Sequence, residues 1–178
     1  MTSDAISSSR RMVAVDPSLP ALLILAVATA TIAGAWFFQL VLDIRPCPLC
    51  LEQRYAYYLA IPLAALLALA AARRGPRGVL IAGFVVLGLA TLANAWLGGY
   101  HAGVEWGFWK GPTDCTGPIG DLGSAGNLLQ RLDQVKIIRC DEVQWRFLGL
   151  SLAGYNVLIS LLMAALSVWG FVVSARKS

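Results

Sequence analysis

Charge is scarce in this sequence. Of 178 residues only 13% are Asp, Glu, Lys or Arg, against roughly 25% in an average soluble domain, while 58% are hydrophobic. That shortage excludes a single water-soluble core, which could not hide so much apolar surface. Basic clusters are lacking too. The net charge is +4, but Lys and Arg stand in twos and threes at the ends of apolar runs, a pattern that argues against a nucleic-acid partner and for a lipid bilayer. Histidine is reduced to His101 alone. Cysteine is reduced to Cys47, Cys50, Cys115 and Cys140, none of them inside a long apolar run.

Four apolar segments are present: residues 21–42, 55–72, 79–100 and 147–172. A helix rises ~1.5 Å per residue, so about 20 residues cross a hydrocarbon layer of ~30 Å, and each segment is near that length. The sequence therefore predicts an all-α integral membrane protein, a single four-helix transmembrane domain over residues 1–178. Pro62 inside the second segment removes a backbone donor and is expected to kink it. Arg10 and Arg11 before the first segment resemble the start of a signal peptide. At about 22 apolar residues the segment is long for one, and no small-residue cleavage site follows, so it is expected to remain as a span.

With four spans, the tail 1–20, the turn Arg73-Arg74-Gly75-Pro76-Arg77 and the C-terminal tail share one side. They carry Arg10, Arg11, Arg73, Arg74, Arg77, Arg176 and Lys177 against only Asp4 and Asp16. The loops 43–54 and 101–146 carry as many cations, but spread over a longer stretch and mixed with eight acids. The positive-inside rule then puts both termini in the cytoplasm and both cysteine-bearing loops outside.

Cysteine packs well inside helices as a small hydrophobe, so its confinement to the outer loops points to oxidised pairs in a compartment where disulfides persist. The first pair sits in Arg45-Pro46-Cys47-Pro48-Leu49-Cys50-Leu51-Glu52-Gln53-Arg54. A Cys-x-x-Cys spacing closes a small disulfide ring at a helix start, where the helix dipole favours a thiolate on Cys50. Arg54, four residues on, stands one turn above Cys50 on the same face and adds a positive charge. One unit of thiol pKa is worth ~1.4 kcal/mol, which a dipole and a guanidinium together can supply.

Other readings compete. Four cysteines could hold zinc, but structural zinc sites usually pair two Cys-x-x-Cys units, and Cys115 and Cys140 are 25 positions apart, so redox pairs fit better and no metal is expected. Arg54 alone could be a snorkelling anchor. His101 caps the third segment, where a polar interface role and a quinone contact are both open. Trp96, Trp106, Trp109 and Trp145 gather near the outer span ends, where aromatic belts form in any case. In the long loop, Leu128, Leu129, Leu132, Val135 and Ile138 recur at helical spacing between polar residues, which predicts a short helix lying parallel to the membrane and tethering Cys140. The Gly/Pro-rich stretch around Cys115 is expected to leave that residue exposed.

The Cys47-Pro48-Leu49-Cys50 motif with Arg54, the later Cys115 and Cys140, and four spans in this order resemble the disulfide bond formation protein B family over nearly the whole chain beyond the N-terminal tail. The stretches 100–109 and 147–156 are similar to its members as well. The resemblance implies a membrane thiol oxidoreductase of the bacterial inner membrane. A reduced periplasmic DsbA-like, thioredoxin-fold partner would be oxidised through a Cys115–Cys140 disulfide. Electrons would pass to Cys47–Cys50 and then to a membrane quinone, ubiquinone or menaquinone, beside Arg54 and His101. A vitamin K epoxide reductase-like protein is the nearest rival, but there the loop cysteines precede the Cys-x-x-Cys. A membrane scaffold with purely structural disulfides is the other, and it would resist mild reductant and bind no quinone.

Overall fold

The computed structural model describes residues 16–112 and 139–176. Four helices dominate it: α1, Ser18–Leu40; α2, Pro48–Ala72; α3, Arg77–Glu105; and α4, Leu152–Arg176. At 23 to 29 residues each is roughly 35 to 45 Å long, and each is long and apolar enough to cross a membrane. Large side chains such as Leu40, Leu66, Leu89 and Val168 point outward, as lipid-facing residues do. The chain is a multi-pass membrane protein of all-α bundle architecture. The predicted membrane-parallel helix of the long loop lies outside the described residues, as does Cys115.

Local sequence explains where the helices begin and end. Cys47 is the N-cap of α2, its sulfur accepting from the Cys50 backbone N–H at 3.1 Å, and Pro48 occupies the first turn, where its missing N–H costs nothing. The cysteine motif is thus the first turn of a helix that starts ahead of the apolar run. The helix continues across Pro62. It ends in a left-handed Arg74 (φ 52°), with Gly75 N–H returning to the Ala70 carbonyl at 2.7 Å. Pro76 then starts α3, and Arg77 donates to the Ala175 carbonyl, which ties this turn to the end of α4.

The apolar run 147–172 does not begin as helix. Arg146–Phe147 (β1) and Leu150–Ser151 (β2) form a two-stranded antiparallel hairpin, turned by Leu148 and Gly149, both at positive φ. A two-residue loop with two left-handed residues matches the twist of the strands. Helix α4 follows, with Ser151 Oγ accepting from the Gly154 N–H at 3.2 Å as a cap.

Helix α3 packs most extensively on α4, and α1 on α2. The core combines Ile24, Leu67, Phe84, Leu87 and Met163 with small residues such as Ala60 and Ala64, which let backbones approach closely. At mid-bundle, Tyr57 Oη donates to Asn156 Oδ1 at 2.6 Å. Asn94 Nδ2 donates to the same oxygen at 3.2 Å and to Ser160 Oγ at 3.0 Å, linking α2, α3 and α4. Gly170 marks the tightest part of the α3–α4 seam: a Cβ there would lie 2.3 Å from the ring of the fully buried Phe84. Gly170→Ala is therefore expected to destabilise the bundle by about 1–3 kcal/mol, read as a lower unfolding midpoint in detergent. An unchanged midpoint would mean that the Phe84 ring moves aside freely.

Candidate functional site

The site is built at one end of the bundle, around the first turn of α2 and the last turns of α3. Cys47 is buried and Cys50 half-buried, and both are free thiols. The hydrogen bond with the Cys50 side chain, and then burial, push the Cys47 thiol up, so Cys47 holds its proton at neutral pH. His101, buried on α3, brings Nε2 to 3.6 Å from Cys47 Sγ, while its Nδ1 meets Gln53 Nε2 at 2.9 Å. In this pairing the Gln53 amide donates to Nδ1, which leaves the ring proton on Nε2, facing the sulfur.

Glu105 follows His101 by one helical turn. Its Oε1 stands 3.9 Å from His101 Nε2, and its Oε2 accepts from Ser151 at the start of α4. Cys140 is buried in one cluster with Cys47, Leu49 and Val104, and its backbone faces the His101 imidazole. It is disulfide-bonded. At the rim of the site, Arg139 forms a fork with Asp141 and holds its carboxyl below the usual carboxylate range.

Arg54 is buried beside this group, but its donors are directed to α1. Nη1 donates to Gln39 Oε1 at 2.8 Å, Nη2 reaches the Ala35 carbonyl at 3.5 Å, and the guanidinium lies 5.3 Å from the centroid of the Trp36 ring. Such a cation–π contact is worth roughly 0.5–2 kcal/mol. Arg54 thus fixes α1 against α2 as well as bringing charge to the site.

Cys47, Cys50, Gln53, Arg54, His101 and Glu105 all border one cavity of about 380 Å³, closed on its other sides mainly by apolar residues, among them Ile32 and Phe38 of α1 and Ile159 of α4. That size and a largely apolar lining with a few convergent polar groups suit a small aromatic ligand. The structure brings together three of the four sequence-predicted cysteines with Arg54 and His101. Gln53, Glu105 and Trp36 were not singled out from the sequence. The available signals were weak: Gln53 follows Cys50 by three residues, and Glu105 is an acid one turn after the only histidine. Glu52 points outward, exposed. Trp109 stacks on Tyr100 and donates to its backbone carbonyl at 2.8 Å, which makes it a packing residue.

Comparison with known proteins agrees with this geometry. The family described as Disulfide bond formation protein DsbB matches residues 17–170. Proteins named Disulfide bond formation protein B are similar over most of their length. That of Marinobacter nauticus is 31% identical, covering 88% of this chain and 91% of its own. That of Azoarcus sp. is 32% identical, covering 83% and 88%, and that of Saccharophagus degradans 33% identical, covering 84% and 89%. With the cysteine pair at a helix start inside a four-helix membrane bundle, these matches decide against the vitamin K epoxide reductase-like reading. The chain belongs to the disulfide bond formation protein B family, and is a membrane oxidoreductase of disulfide bond formation.

Proposed function

We propose that this protein reoxidises a periplasmic DsbA-like dithiol oxidase and passes the electrons, through Cys115–Cys140 and then Cys47–Cys50, to a membrane quinone. The observation that carries the reading is the shared cavity: both thiols of the Cys-x-x-Cys, a buried guanidinium and an imidazole border one largely apolar space beside the bundle. An apolar two-electron acceptor dissolved in the membrane fits such a space, and a soluble disulfide does not.

In the first step a partner thiolate attacks the Cys115–Cys140 disulfide; the partner leaves oxidised and both loop cysteines become thiols. These in turn reduce the Cys47–Cys50 disulfide by thiol–disulfide exchange, with one disulfide formed for each one broken. Burial of Cys140 in one cluster with Cys47 supports this order, because the sulfur is released at the end of the bundle that holds its target. A quinone bound in the cavity supplies the acceptor for the two electrons and two protons that Cys47 and Cys50 release on re-forming their disulfide. Cys50, on the first turn of α2 and beside Arg54, is the thiolate of the pair. His101 Nε2 lies within reach to exchange a proton with Cys47.

The absorption spectrum tests the acceptor. Adding ubiquinone or menaquinone to reduced purified protein should produce a visible band, because a thiolate stacked on a quinone absorbs there, and Cys50→Ser should remove it. The same spectrum with and without quinone would overturn the acceptor assignment.

The proposed orientation places both termini in the cytoplasm and the cysteine loops in the periplasm of a bacterial inner membrane. It is supported by the basic turn at residues 73–77, which the Arg77 bond to Ala175 holds at the same end of the bundle as the C-terminus. A membrane-impermeant thiol reagent applied to reduced, intact spheroplasts should label Cys115, whereas Gly75→Cys should stay unlabelled until lysis. Labelling of Gly75→Cys from outside would reverse the orientation.

A further inference from the structure

Three groups that bind soft metal ions converge at the start of α2. One ligand atom each from Cys47, Cys50 and His101 lies within 4.8 Å of the others, and Cys47 Sγ and His101 Nε2 are 3.6 Å apart. In a tetrahedral zinc site, with sulfur at ~2.3 Å and nitrogen at ~2.0 Å, two such ligands stand roughly 3.5 Å apart. The pair already has that spacing. The supporting contacts are also in place. Gln53 stands 2.9 Å from Nδ1; with its amide turned over so that Oε1 accepts from Nδ1–H, the ring proton moves from Nε2 to Nδ1 and Nε2 is free to ligate beside the sulfurs, while the Cys50 backbone N–H points at Cys47 Sγ and stabilises negative charge on it. All three ligands border the cavity, which leaves room for water in a fourth position. The zinc set weighed from the sequence needed all four cysteines; the folded chain offers a different one, completed by a histidine 51 positions beyond Cys50.

We propose that the reduced Cys47–Cys50 pair and His101 form a binding site for zinc, and that the ion competes with the electron acceptor for the same sulfurs. Two thiolates balance the charge of the ion, and binding releases the one thiol proton that Cys47 still carries, Cys50 being already a thiolate, without moving an electron. Oxidation to the disulfide removes both sulfur ligands. The proposal rests on reading Cys47 and Cys50 as a reversible redox pair, and the site exists only in the reduced state.

Cobalt(II) is the probe, used with the Cys115→Ser/Cys140→Ser variant so that one cysteine pair remains. Added to the reduced, quinone-free protein in detergent, it should give thiolate-to-metal absorption in the near ultraviolet with one ion per chain, bleached by zinc. The same protein oxidised beforehand should give none. His101→Ala should weaken cobalt binding at least tenfold, with His101→Asn as the second variant should the first fail to fold. Gln53→Ala should weaken it about 10- to 100-fold. Zinc should also slow oxidation of the reduced pair by added quinone, and a chelator should restore the rate. Absence of the absorption from reduced protein, its persistence after oxidation, or undiminished binding without the imidazole would overturn the site. A pair that cycles between thiol and disulfide but takes no cobalt sinks the metal site alone, whereas a pair that cannot be cycled sinks the redox reading with it.

Discussion

A thioredoxin-fold partner whose second active-site cysteine is changed to Ala is expected to accumulate as a covalent complex with this protein, linked through Cys115, and Cys115→Ser is expected to abolish it. The reason is access. Thiol–disulfide exchange needs the attacking sulfur to reach its target in line, and Cys140 is only 1% exposed, buried in one cluster with Cys47, Leu49 and Val104. A soluble protein cannot approach it there. Attack on the other sulfur releases Cys140 as a thiolate already beside the Cys-x-x-Cys motif, so one disulfide serves an outside partner and an inside one in turn. Without its second cysteine the partner cannot resolve the mixed disulfide by backward attack. Non-reducing digestion and mass spectrometry would locate the bond. A bond found mainly at Cys140 would reverse the roles of the two sulfurs.

Arg54→Met is expected to weaken apparent quinone affinity by about tenfold or more and to slow quinone reduction, while exchange between the partner and Cys115–Cys140 continues. A hydrogen bond to a charged group contributes roughly 1.5–3 kcal/mol, and ~1.4 kcal/mol is a factor of ten. Arg54→Lys should fall between, since an ammonium keeps the charge but not the planar fork that reaches Gln39 and Ala35 together. The bonds to α1 raise a second possibility: the residue could act only by holding α1 in place. Gln39→Leu separates the two roles, because it removes the tether at Nη1 and leaves the charge at the cavity. Quinone titrations of the three variants would decide. Loss of affinity in Gln39→Leu equal to that in Arg54→Met would make Arg54 an anchor of α1, and unchanged affinity in Arg54→Met would remove it from the acceptor site.

Composition and short spacing set the helices and the cysteine motif of this chain. Four apolar runs of spanning length impose four helices, because in a hydrocarbon layer each backbone polar group must be satisfied within its own segment. Pro-Cys-Pro-Leu-Cys sets the start of α2, since proline is tolerated in a helix's first turn and the sulfur of Cys47 can cap it. Arg54 shares a helix face with Cys50 by the same local rule. The hairpin at residues 146–151 was less legible: Phe147, Leu148 and Leu150 are as apolar as the helix that follows, and the two left-handed residues at the turn set the segment apart.

The meeting of His101 with Cys47 across 54 positions, the Gln53 contact that orients the imidazole, the Glu105–Ser151 link between α3 and α4, and the attachment of Arg54 to α1 were decided by the tertiary structure. Each depends on how a helix is rotated about its axis. In a soluble bundle a polar stripe announces that rotation. Here the helices are apolar on nearly every face, so periodicity does not say which side turns inward. The rotation is set instead by small residues that let helices close, such as Gly170 against Phe84, and by a few buried polar side chains that must find partners on other helices.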